Sequence, residues 1–150
     1  MTDRPSFFFD DLRVGQRFVS GSHALDEAEI IRFAREFDPQ PFHVDVEAAR
    51  HSVFQGLVAS GWHTAAVTMR LLIEGEARIA GGHVGLGGEA KWPNPTRPGD
   101  ILQVHTEVIE LTPSQSRPDR GVVTLRSETH NQRAEVLLVL ISKLLVPRRP

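Results

Sequence analysis

Asp38 and His43 stand five positions apart, with Pro39 and Pro41 between them. A carboxylate and an imidazole held close together can orient one water molecule and share its proton, because a neutral imidazole accepts a proton near pH 7. Proline fixes its own φ and disfavours helix in the residue before it. Residues 38–45 are therefore expected to form a stiff turn rather than a helix, with Asp38 and Gln40 extended. Stiffness suits such a pair, since proton transfer depends on held geometry.

The neighbours of the pair divide by chemistry. Asp38 falls where a helix should end, and a carboxylate has the wrong sign for that already negative terminus. A purely structural role is thus a poor explanation for it. Asp45 suits the N-cap of a short helix, residues 46–51. Gln40 either bonds the turn or faces a ligand. Further on, Ser60-Gly61 opens a second helical stretch. The N–H groups of a helix start are unsatisfied, and they suit a carbonyl oxygen that gains negative charge; the plainer reading is a serine cap beside a glycine. His63 either lines the same cavity or packs its helix. The other histidines are scattered, with no His-Glu-x-x-His spacing. Gly85, Gly87 and Gly88 lack the helix and acidic residue of a dinucleotide site, so bends or close backbone approach explain them better. Arg97, in a proline-rich connection, reads as a solvated loop residue rather than a phosphate ligand.

These residues need elements to hold them. Asp26 caps a first helix, Glu29 completes a capping box and Leu25 staples onto Ile30. Ile30, Phe33, Ala34 and Phe37 recur at helical spacing until Pro39. The helix from Ser60 or Gly61 carries Trp62, Ala65, Ala66, Met69, Leu72, Ile73 and Ala77 as a broad apolar face. It has no charge before Arg70, so its first half is expected to be buried nearly all round. Strands are expected at residues 16–20, 83–92, 101–111, 121–129 and 134–146. Leu102, Val104, Thr106 and Val108 mark one alternating face; Val123, Leu125, Ser127 and Thr129 mark another. Residues 93–100 form a rigid connection and residues 148–150 a frayed tail. Helices followed by four strands in a row point to an α+β fold, an antiparallel sheet around a central helix.

The 150 residues suit one domain, residues 1–150. A net charge of −2 and a pI near 6.4 argue against nucleic acid as the main partner. The absence of cysteine excludes thiol catalysis and thiolate metal sites. No signal-like start is seen, and the longest apolar run, residues 136–141, is too short to span a bilayer. A soluble cytoplasmic protein with no membrane partner is the expectation.

Together the residues resemble the MaoC-like dehydratase family, which includes R-specific enoyl-CoA hydratases. Its motif runs roughly Asp-x-Asn-Pro-x-His-x-Asp, then an Ala-rich segment, then a small residue or His before Gly at a central helix. Asp38, Pro41, His43 and Asp45 match in register; Ala48-Ala49, Phe54 and Gly61 follow. Pro98-Gly99-Asp100 and Asn131-Gln132 resemble two later turns. The resemblance implies a hot-dog fold with a long central helix, and homodimers or larger assemblies with an acyl-CoA site near the interface. It implies Asp38 and His43 as the catalytic pair, with the Gly61 N–H polarising a thioester carbonyl. Gln40, Ser60, Trp62 and His63 are the expected substrate contacts. Water would add syn across a trans-2-enoyl-CoA to give an R-3-hydroxyacyl-CoA, with no metal or redox cofactor. The chain departs from the pattern at Gln40, in place of Asn, and at Ser60-Gly61-Trp62, in place of His-Gly-Met. The bulk of Trp62 bears on the acyl pocket. A hot-dog thioesterase, which would place an acid on the central helix, and a non-catalytic acyl-CoA binding subunit are the alternatives.

Overall fold

The computed structural model describes residues 6–150. A 3-10 turn, Phe9–Asp11, leads into β1 (Arg17–Ala24), then α1 (Glu27–Phe37), α2 (Pro41–Val44), α3 (Val46–Arg50) and α4 (Gly61–Glu74). Four strands follow: β2 (Val84–Lys91), β3 (Ile101–Pro113), β4 (Arg120–His130) and β5 (Val136–Pro147). They form one sheet in the order β1-β3-β4-β5-β2, and all neighbours are antiparallel. Helix α4 packs on the sheet through β1, β3 and β5.

The alternation read from the sequence sets the core. Leu102, Val104, Thr106 and Val108 of β3 are buried, as are Val123, Leu125, Ser127 and Thr129 of β4. Val67, Leu71 and Leu72 of α4 pack into the same cluster. A buried hydroxyl needs a partner, and these side chains supply one another. Thr106 pairs with Ser127 at 2.9 Å, and Thr68 of α4 with Thr129 at 2.6 Å. Gly88 permits close strand approach, since a Cβ there would collide with the Ile141 carbonyl.

Several expectations need correction. Residues 41–44 are helical, because Pro41 sits in the first helical turn, where its fixed φ fits and its missing N–H is not needed. The expected extended backbone before proline is present at Gln40, at φ −83°, ψ 147°, but not at Asp38, which is non-helical at φ −155°, ψ 68°. Strand β1 runs on to Ala24 through an irregularity between Val19 and Ser22. The first half of α4 is not buried all round. His63, Thr64, Val67, Thr68, Leu71 and Leu72 face inward, while Trp62, Met69 and Ile73 are exposed. Of the expected apolar face Leu72 is buried, but Trp62, Met69 and Ile73 are not, because the inward face is completed by the small hydroxylic residues Thr64 and Thr68. At 14 residues, α4 is moderate rather than long. The end of the chain is tied down, since Arg148 bonds Asp10 and Arg149 bonds Asp11.

Candidate active site

The ends of three helices build the site. Asp26 caps α1 by accepting from the Glu29 N–H, and α1 stops at its C-cap, Asp38. Pro41 starts α2, which carries His43 inward to 5% exposure. Asp45 caps α3 by accepting from Glu47 and Ala48, the structural role expected of it. Ser60 is the N-cap of α4 and is fully buried.

His43 Nε2 lies 3.4 Å from Asp38 Oδ2. The other ring nitrogen, Nδ1, donates to the Val58 carbonyl at 2.6 Å. A carbonyl only accepts, so the hydrogen is on Nδ1, and Nε2 of the neutral ring is left as the basic lone pair. Asp38 is held twice more. Ser60 Oγ donates to its Oδ2 at 2.7 Å, and Gln40 Nε2 donates to its Oδ1 at 2.7 Å. Burial opposes ionisation of Asp38, but these hydrogen bonds and the positive charge available on His43 outweigh it. The carboxyl is held below its usual value.

The pair opens into a cleft of about 470 Å³, within the range of small-molecule sites. Gln40, Gly61, Trp62 and Trp92 line it together with Asp38 and His43, and Phe42 and Phe54 add apolar wall. Gly61 is the first residue of α4, and among the described residues its N–H has no acceptor. Its missing side chain has a reason the sequence did not suggest. The Trp92 indole covers that position, so a Cβ on Gly61 would lie 2.8 Å from Trp92 Cε2. Trp92 Nε1 also donates to the Gly61 carbonyl at 2.9 Å.

Two expected substrate contacts are not on the cleft wall. Ser60 is turned to Asp38 instead. His63 points to the other side of α4, where it stacks on Phe33 at 4.4 Å and lies 4.0 Å from Glu29. Burial holds its imidazole below the usual value, although Glu29 pulls the other way. Arg97 is not a solvated loop residue either: it donates to the Phe54 carbonyl at 2.8 Å and braces one wall. Thr64, Trp92 and Thr96 were missed. Trp92, ending a strand before Pro93, carried a faint signal. The Val58 carbonyl carried none, because any residue has one. Glu74 pairs with Arg70, and Glu76 accepts from the Val19 N–H; neither lines the cleft.

An antiparallel sheet wrapped on a central helix is the hot-dog fold. The family model described as MaoC like domain matches residues 12–131. A crystal structure of a MaoC-like dehydratase from Rhodospirillum rubrum is 58% identical and covers 97% of this chain and 99% of its own, with a TM-score of 0.95. YdeM of Bacillus subtilis, an uncharacterized protein, is 36% identical over 128 residues, which is 83% of this chain and 87% of its own. The 3-hydroxybutyryl-CoA dehydratase of Methylorubrum extorquens is 31% identical over 116 residues, 73% of this chain and 69% of its own. The chain belongs to the MaoC-like domain family, a hot-dog family of hydratases and dehydratases.

Proposed function

We propose that the chain is a hydro-lyase that adds water reversibly to a trans-2-enoyl-CoA, giving the R-3-hydroxyacyl-CoA. The observation that carries this reading is the His43 imidazole, which is fixed through Nδ1 on the Val58 carbonyl and presents basic Nε2 beside the Asp38 carboxylate. Nε2 takes a proton from water as the water oxygen bonds to C3 of the enoyl group. The double-bond electrons move to C2 and the thioester oxygen, making an enolate. The same imidazolium returns a proton to C2 on the same face, which makes the addition syn. Asp38 stays ionised, orients the water and stabilises the imidazolium. The free Gly61 N–H at the positive end of α4 takes the enolate oxygen. No step calls on a redox or metal cofactor. The relative named as a 3-hydroxybutyryl-CoA dehydratase supports the reaction class.

The exposed apolar residues of α4 and β2 support assembly. Trp62 and Ile73 are more than half exposed, as is Leu86 of edge strand β2. A second copy of the chain is the occupant proposed for this surface. A cytoplasmic location belongs to the same reading; among the described residues no helix is long and apolar enough to cross a membrane.

The test follows the loss of enoyl absorbance with short enoyl-CoAs. Hydration by the wild type that collapses in both Asp38→Asn and His43→Ala is the expected result. Full activity in both variants, or thiol release without hydration, overturns the reading.

A further inference from the structure

The two ends of the cleft differ. Gln40 and Trp92 are exposed and mark the mouth, whereas Thr64 and Thr96 are 1% and 3% exposed and mark the inner end. Their hydroxyls meet at 2.8 Å. Two hydroxyls bring two hydrogens, and the mutual bond uses one. The other has no acceptor among the described residues. Behind this pair the same chemistry repeats. Thr68 donates to the Thr64 carbonyl at 2.8 Å, so its hydrogen is spent, and Thr129 must donate to Thr68 across 2.6 Å. Two hydroxyl pairs thus join α4 to its surroundings, Thr64 to the connection between β2 and β3 and Thr68 to β4.

A CoA arm is too large for the inner end and must leave by the mouth, so the acyl tail points at Thr64 and Thr96. We propose that the Thr64–Thr96 hydroxyl pair sets the specificity of the cleft, restricting it to short acyl chains. A longer hydrocarbon tail would have to cover an unpaired O–H or part the two hydroxyls. Either leaves a polar group desolvated without a partner. The proposal requires a four-carbon acyl group to end before it meets the pair.

This inference rests on the acyl-CoA reading above, and the experiment separates the two. Dissociation constants for butyryl-CoA and octanoyl-CoA are measured by calorimetry, and kcat/KM for the four- and eight-carbon enoyl-CoAs by absorbance. The proteins are the wild type, Thr64→Ser and the double variant Thr64→Val/Thr96→Val. Replacing both partners by apolar groups of the same shape is tolerated far better than removing one. The wild type and Thr64→Ser are expected to favour the four-carbon ligands by at least about tenfold, the scale on which apolar pockets discriminate chain length. The double variant should lose most of that preference. Equal or better use of eight-carbon ligands by the wild type overturns the proposal, and so does an unchanged ratio in a folded double variant. Should the double variant not fold, equal or better use of eight-carbon ligands by the wild type still overturns the proposal. Tighter binding of butyryl-CoA without hydration of either substrate would sustain the length limit and refute the hydro-lyase reading. Failure to bind either acyl-CoA would refute both.

Discussion

Ser60 Oγ donates to Asp38 Oδ2 at 2.7 Å and so joins the N-cap of α4 to the C-cap of α1. The same oxygen accepts from the Trp62 N–H at 3.2 Å. A carboxylate at the end of α1 is poorly placed with respect to its own helix. The start of α4, with its partial positive charge, lies against it and makes good the mismatch.

Ser60→Ala should therefore act through Asp38. Losing a donor to the charged form raises the carboxyl pKa, so the acid limb of the pH–rate profile should move to higher pH. Loss of the cap should cost about 1 kcal/mol of stability. Gln40→Ala should move the limb the same way but less far, because its amide is exposed and water can replace it. The pH dependence of kcat/KM checks both, and an unmoved limb in Ser60→Ala would show that Asp38 is set by other groups.

For Asp38→Asn and His43→Ala the expected loss in kcat/KM is about 10²- to 10⁴-fold, the scale of general acid–base catalysis. Thermal unfolding of each variant shows whether the fold survives, so that lost chemistry is not confused with lost structure.

Gly61→Ala keeps the N–H but puts a methyl into the Trp92 ring. Overpacking of this kind costs about 1–3 kcal/mol. In Gly61→Ala/Trp92→Leu the penalty should be largely relieved, giving a coupling between the two sites in a double-mutant cycle of unfolding. Additive effects would mean that the indole does not rest on Gly61.

His63 predicts a pH dependence of stability. Burial keeps the native imidazole neutral below the ordinary value of 6.5, whereas the unfolded chain takes up the proton there. Between 6.5 and the lower native value the unfolded state binds more protons, so stability falls as pH falls. His63→Phe removes this titration and keeps a ring against Phe33. Its urea midpoint should fall less than that of the wild type between pH 7 and pH 5.

Local patterns carried much of this into the sequence. Asp26 and Asp45 announced their helices, because a cap acts within four residues. The alternation of β3 and β4 announced the core face, because a strand has only two sides. Asp38 and His43 were legible for the same reason, as two prolines fix the path between them. The inward side of α4 was not legible. Thr64 and Thr68 look polar one at a time and become core residues only when Thr96 and Thr129 supply their partners.

The sequence by itself determined the Asp38/His43 pair and the order of helices and strands, since both follow from backbone constraints over short spans. Only the tertiary structure decided what surrounds the pair. The Val58 carbonyl that fixes the tautomer, the Ser60 hydroxyl that holds the carboxylate and the Trp92 ring that requires Gly61 all come from distant parts of the chain. No local rule encodes which distant atoms meet when the sheet closes around α4.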